Sequence, residues 1–214
     1  MQNEIDHIFI MADVGAPEAN KLVDAGIVEG TSRSHPGQGT ANRRFFFANI
    51  MLEFLWVHDA IETGSDLIRP THLLERWQQR GTQSPYGICF RPVVAVPNTG
   101  PVFDTWDYKP PYLPAGMAIQ VAHNADVLRE PFLFFLSWAH APENPPQHPA
   151  GLHTLTSVTL HMPDAEHLSP PLQAAMPVIQ VVSADAHHIA LTFDDGSRGQ
   201  TLDLRPFASL SIVY

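Results

Sequence analysis

One pattern constrains this chain more than any other: the order strand–helix–strand–strand–strand is written near both of its ends. Residues 4–12 alternate as a strand, with Ile5, His7, Phe9 and Met11 on one face and Ile8 and Ile10 on the other. A short helix follows. Pro17 stands at a first helical position, Ala19, Leu22 and Val23 recur at helical spacing, and Gly26 ends it. Residues 27–33 read as extended and 35–40 as a loop broken by Pro36, Gly37 and Gly39. Strands at 43–48 and 51–57 then flank the tight connection Asn49-Ile50. Near the other end, 154–162 reads as a strand and 169–176 as a helix opened by Pro170 and Pro171. Strands at 178–183, 187–193, 201–204 and 208–214 follow, with a turn at 194–197.

The middle of the chain is less regular. Pro70 opens a helix over 70–80, Leu73, Leu74 and Trp77 give it an apolar stripe, and Gly81 closes it. Residues 87–96 are rich in aliphatics, and 117–122 and 132–138 read as strands. Between them, 97–116 holds five prolines and the aromatics Phe103, Trp106, Tyr108 and Tyr112, which predicts a long ordered loop. Segment 84–138 thus reads as a degenerate third copy of the pattern. The proline-dense stretch 140–151 is a linker, since proline forbids helix and disfavours central strands. The expected organisation is paired modules over 1–140 (first 1–58, second 84–138, linking helix 70–80). An additional βαβββ-like module at 153–214 packs on the same domain.

Composition narrows the function classes. Of 214 residues, 44% are hydrophobic and 16% charged, which suits a packed core and not a disordered chain. The formal net charge of −10 argues against general nucleic-acid binding, which needs cations to displace counterions. One cysteine, Cys89, excludes an internal disulfide framework and a cysteine-based zinc module. No apolar run approaches the ~20 residues that span a bilayer. The start of the chain lacks a basic, apolar leader, so no membrane partner and a cytoplasmic location are expected. Phosphate-cradling glycine loops and the GxSxG elbow are missing.

The run Ile5-Asp6-His7-Ile8, the helix after it, His35-Pro-Gly-Gln-Gly-Thr-Ala-Asn-Arg43 and Met51-Leu-Glu-Phe-Leu-Trp56-Val57 together resemble the glyoxalase-like branch of the vicinal oxygen chelate superfamily. The similarity is most specific over 4–58, weaker over 84–138 and weakest after 153. It implies an α+β fold in which repeated βαβββ modules form a cupped, barrel-like mixed sheet, commonly as a homodimer. Superfamily members include lactoylglutathione lyases, epimerases, extradiol dioxygenases, thiol transferases and bleomycin-binding proteins that catalyse nothing. Where a metal is present, its ligands come from the first and last strands of each module. Carried onto this chain, those positions are His7 and Glu53. Zn, Fe(II), Mn or Ni would suit an imidazole with a carboxylate. In the second module the corresponding positions are Gly87 and Phe134, and in the last segment Ser157 matches His7. None of the three is a ligand of the family's kind. His123, His153, Glu130 or a second subunit would have to complete the site.

The residues support the same pair on their own terms. Glu53 is flanked by Met51, Leu52, Phe54, Leu55 and Trp56, and a carboxylate buried there needs a partner. A metal, His7, or an arginine among Arg43, Arg44 and Arg91 would each serve. Glu53 is therefore the candidate catalytic group, either as a metal ligand or as a general base. The loop Gly37–Arg43 offers amides, a hydroxyl and a guanidinium for a polar ligand. Gln38, Thr40, Asn42 and Arg43, with Trp56 and Arg91, are the candidate ligand contacts. Of the twelve histidines only His7 lies in a chelating arrangement. His35, in its loop, and His58, His161 and His167, at element ends, read as solvated. So do two of the linker's His140, His148 and His153, while His187 and His188 point to opposite faces. Cys89 reads as inert packing. Three functions stay open: a metal-dependent lyase, isomerase or dioxygenase acting on a small oxygen-rich molecule, a metal-free small-molecule binder, and a structural module.

Overall fold

The computed structural model describes residues 2–93 and 99–214. Its elements in chain order are β1 (Asn3–Met11), a 3-10 turn running into α1 (Asn20–Asp24), β2 (Arg33–His35), β3 (Thr40–Phe46), β4 (Met51–Val57), α2 (Ala60–Thr63), α3 (Leu73–Gln78), β5 (Tyr86–Pro92), β6 (Thr105–Tyr108), β7 (Ile119–Ala122), β8 (Phe132–Phe135), β9 (Leu155–Met162), α4 (Pro170–Ala175), β10 (Gln180–Ser183), β11 (His188–Phe193), β12 (Thr201–Asp203) and β13 (Leu210–Val213). The fold is α+β, built on two mixed sheets that do not close into barrels. Positions 94–96 of the strand expected at 87–96, and 97 and 98 of the expected loop, lie outside the described residues.

The first sheet runs β2-β3-β4-β1-β5-β8-β7-β6. Its halves share one plan. β1 lies parallel to β4 as β5 lies parallel to β8, and β1 and β5 pair antiparallel at the centre. Part of the expected long loop is a strand, β6. Tyr108 is buried there and Trp106 packs beside it, an alternation that the surrounding prolines hide in the sequence. The expected helix at 70–80 is broken at His72, whose positive φ of 54° separates a 3-10 turn from α3.

The second sheet runs β10-β9-β11-β13-β12. Here β9 and β10 lie side by side and parallel, joined by α4, as a parallel pair requires of its crossover. In the first half of the large sheet the strand after the helix is instead the far edge, and the fourth strand neighbours the first. Segment 155–213 therefore has a pairing of its own.

Strand parity sends alternate residues to two different places. Ile8, Ile10, Phe45, Leu52, Phe54, Ile88 and Phe135 face the second sheet. They form one apolar cluster with Val158, Leu160, Ile189, Leu191 and Phe193. The Phe47 and Phe193 rings stand 4.5 Å apart across that interface, and Tyr86 donates to the Ser209 carbonyl at 2.6 Å. Phe9, Met11, Leu55, Cys89, Phe132 and Phe134 belong to a separate cluster on the opposite, concave face. The second sheet thus backs the first and leaves the cup free.

Candidate functional site

One irregularity places the polar end of the cup. Between β1 and β5, Ile5 pairs with Phe90 but His7 pairs with Cys89, so Asp6 is the extra residue of a β-bulge. The expectation that Ile5 shares a face with His7 is corrected by this bulge. Ile5 joins Ile8 and Ile10 in the core, while His7 lies with Phe9 and Met11 toward the cup. The bulge also turns the Asp6 carboxylate onto its neighbour, 2.7 Å from His7 Nδ1. An ionised carboxylate only accepts, so Nδ1 carries the proton and Nε2 is left for the cup. Burial opposes the charge on Asp6. Hydrogen bonds and charges from His7 and Arg91 outweigh that and hold its acid below the ordinary aspartate range.

His7 Nε2 lies 3.9 Å from Glu53 Oε2. Asn42 donates from Nδ2 to Glu53 Oε1, and its own Oδ1 accepts from the Arg33 backbone amide at 2.7 Å. The glutamate is buried, fixed by one oxygen, and presents the other beside the imidazole. Beyond Asn42, Gln38 donates to Thr40 Oγ1 and accepts from the Tyr108 hydroxyl, each at 2.7 Å. His35 bonds Thr40 Oγ1 at 2.8 Å, with its ring 4.9 Å from Tyr112. Burial pushes the His35 imidazole below its usual pKa against the pull of Glu53, so it stays neutral at pH 7. Burial likewise pushes the Tyr108 and Tyr112 phenols upward, and both remain protonated.

The cup encloses a cavity of about 140 Å³. A cavity of roughly 150 Å³ holds a benzene-sized molecule, so the reacting part of any ligand is small. Its polar wall is His7, Glu53, Asn42, Gln38, His35 and Arg44, and its apolar wall includes Phe132, Phe134, Leu136 and Ile119.

The candidate contacts separate by strand parity. Gln38 and Asn42 line the cavity, and buried Thr40 supports Gln38 and His35 from behind. Arg43 points to the other face of β3, where Glu29, Asn20 and the Ala16 carbonyl occupy its guanidinium. Trp56 packs against the core between the sheets. Arg91 is almost wholly buried behind the bulge, held by Glu4, Asp6 and the Asn49 carbonyl. Asp6 and His35 are not site candidates in the sequence, and Arg44 is there only as one of three possible partners for Glu53. The bulge that turns Asp6 onto His7 is invisible without the partner strand.

Register also explains the missing second pair. His7 pairs with Met51 and Phe9 with Glu53, while Gly87 pairs with Phe132 and Cys89 with Phe134. Phe134 therefore occupies the place equivalent to Glu53, and Gly87 that of His7. A Cβ on Gly87 would meet Phe9 Cε1 at 2.0 Å, because the Phe9 ring lies in the space that a side chain there would fill. Phe134 meets His7 edge-on at 5.2 Å. Donor atoms of Asp6, His7 and Cys89 lie within 4.8 Å of one another. These residues do not fit a resident divalent ion. Asp6 is taken up by Arg91 and His7. The Cys89 thiol is pushed well up by burial and by Asp6 and Glu53. That leaves His7 and Glu53 as two donors, where catalytic metal sites use about three. Glu130 is committed to Ser169 and Asn124, and neither His123 nor His153 lines the cup.

Among the described residues no helix is long and apolar enough to cross a membrane. No protein-family model matches the chain, and no curated protein matches it. Among solved structures, a hypothetical protein from Staphylococcus aureus superposes over 99% of both chains with a TM-score of 0.52 at 10% identity. A Streptomyces coelicolor methylmalonyl-CoA epimerase in complex with 2-nitronate-propionyl-CoA covers 65% of this chain and 100% of its own, at TM-score 0.41 and 15% identity. A methylmalonyl-CoA epimerase from Mycobacterium tuberculosis covers 65% of this chain and 89% of its own, at TM-score 0.36 and 12% identity. The likeness to the staphylococcal protein extends the shared fold through both sheets.

Proposed function

We propose that this chain is a glyoxalase-like protein of the vicinal oxygen chelate type whose cup binds a small oxygen-rich molecule and moves a proton on it without a resident metal. The observation that carries the reading is the pair His7 and Glu53, 3.9 Å apart on the cup wall, each fixed by a neighbour on its far side. Glu53 Oε2 takes the proton from a carbon next to a carbonyl. The C–H electron pair moves into the carbonyl and the charge settles on its oxygen. Return of the proton by Glu53 to the same carbon exchanges it, and delivery to the adjacent position isomerises the ligand. The reaction class is thus an isomerase. The homodimer expected from the family belongs to this proposal, and sedimentation tests it separately.

The test is deuterium exchange. Incubation of 2-oxo acids, α-hydroxyketones and β-dicarbonyls in D2O with the protein should erase the α-proton signal of at least one compound. Glu53→Gln should slow that loss by about 10² or more. Exchange no faster than buffer across the panel, or equal in Glu53→Gln, overturns the reading. The aromatic half of the cup favours one other outcome. Saturable binding, seen by quenching of Trp138 at the cup's edge, without any exchange would make this a small-molecule binder.

A further inference from the structure

The chain carries 22 acidic residues against 12 lysines and arginines. Six of its ten arginines, Arg43, Arg69, Arg80, Arg91, Arg129 and Arg205, stand within 4 Å of a carboxylate. Arg44 does not, although register sets it directly across from Glu53. Glu53 Oε1 is taken up by Asn42 instead, and Oε2 lies 3.9 Å from His7 Nε2. The Arg44 side chain is half-buried. Its Nε donates to the Thr31 carbonyl at 2.7 Å, and its terminal nitrogens have no hydrogen-bond partner among the described residues. Its guanidinium carbon lies 5.2 Å over the Phe46 ring, which holds the planar group without consuming its donors. Arg33 likewise has no carboxylate partner among the described residues and stands over Tyr112 at 6.0 Å. Both arginines line the cup, and the apolar wall lies across from them. Arg44 also lines a shallow groove that leaves the cup past Met51 and Trp138, which places it at the mouth.

We infer that Arg44, assisted by Arg33, is the anion-binding subsite of the cup, and that the ligand is a small monocarboxylate. Its carboxylate takes the two free terminal nitrogens of Arg44, and its short apolar end lies against Phe132 and Phe134. A planar guanidinium with two free N–H groups on one edge matches a carboxylate bidentately, which an ammonium would not. The cavity size limits the apolar end to a few carbons. This inference rests on the cup being the ligand site proposed above, and it adds the charge of the substrate. It does not require Glu53 to act as a base.

The test is isothermal titration of four- to six-carbon 2-oxo carboxylates and of their methyl esters into the full chain. At least one carboxylate should bind, its matching ester should bind at least about tenfold more weakly, and added salt should weaken the acid alone. Arg44→Gln should reduce acid affinity by about tenfold or more and leave the ester unchanged, and Arg44→Lys should recover only part. Arg33→Gln, at an exposed position, gives a smaller loss in the same direction and guards against misfolding of the Arg44 variants. Glu53→Gln should bind the acid as well as or better than wild type even where exchange is lost, which separates this inference from the proton-transfer reading. Esters bound as tightly as acids, unchanged acid affinity in Arg44→Gln, or no carboxylate binding at millimolar concentration would overturn it.

Discussion

Asp6 is the residue on which the polar wall depends, and replacing it by asparagine separates its charge from its shape. The carboxylate accepts from His7 Nδ1 at 2.7 Å and from Arg91 Nη1 at 3.0 Å. Arg91 is only 1% exposed at its side chain and Asp6 14%. A hydrogen bond to a charged group contributes about 1.5–3 kcal/mol, and breaking a buried pair costs about 3–5 kcal/mol. Arg91 keeps Glu4 and the Asn49 carbonyl in Asp6→Asn, and the new amide oxygen still accepts one bond, so the lower end applies. The expected loss is about 2 kcal/mol. For a chain of this size that lowers Tm by ~4–8 °C. The pH dependence follows from the direction of the shift. The folded-state acid is held below its unfolded value, so its stabilisation is complete above the unfolded pKa and is lost as pH falls through the folded one. Urea unfolding of wild type and Asp6→Asn should show a constant gap from pH 7 down to about 4 and a narrowing gap below. A gap under about 0.5 kcal/mol at pH 7 would refute the network, and a gap that does not narrow in acid would refute the role of charge.

Gly87→Ala drives a methyl into the Phe9 ring, and urea unfolding should record a loss of about 1–3 kcal/mol. Gly81→Ala, where nothing lies within 4 Å, should stay within about 0.5 kcal/mol, and equal effects at the two sites would refute the packing argument. The Cys89 thiol, fully buried and held protonated, should react with a thiol reagent at pH 8 only at the rate of unfolding, and at once in urea. Rapid labelling of the native chain would contradict its burial.

The first 58 residues were legible because their strands are apolar runs and most of their connections carry a glycine or proline. What escaped was register. Ile5 and His7 alternate on paper, and only the pairing with β5 shows the bulge that parts them. Asn42 and Arg43 both read as ligand contacts in the sequence, yet neighbours on a strand face opposite ways. Phe45 and Phe47 in the core already commit position 43 to the far side. His35 reads as solvated from its loop, and only the return of β6 and the 109–118 turn brings Tyr112 over it and Tyr108 onto Gln38. The second sheet is legible as strands and helix but not as a topology, because the strand sequence does not say which neighbour β9 takes.

The two halves of the large sheet share one backbone plan and differ in what they offer a ligand. In the first half the cup-facing positions of β1 and β4 carry His7 and Glu53, and β3 adds Asn42 and Arg44. In the second half the same positions are Gly87 and Phe134, with Phe9 and Phe132 filling the space between them. A symmetric cup would bind a symmetric ligand, or one ligand in two orientations. This one cannot, because a charged end placed against three phenylalanines loses its solvation and gains no partner. On the proposed reading, the carboxylate, carbonyl and acidic carbon of the ligand all lie toward β3 and β4. Its apolar end must lie toward β8. On that reading, Gly87 and Phe134 therefore also orient the ligand, with the carbon next to its carbonyl beside Glu53.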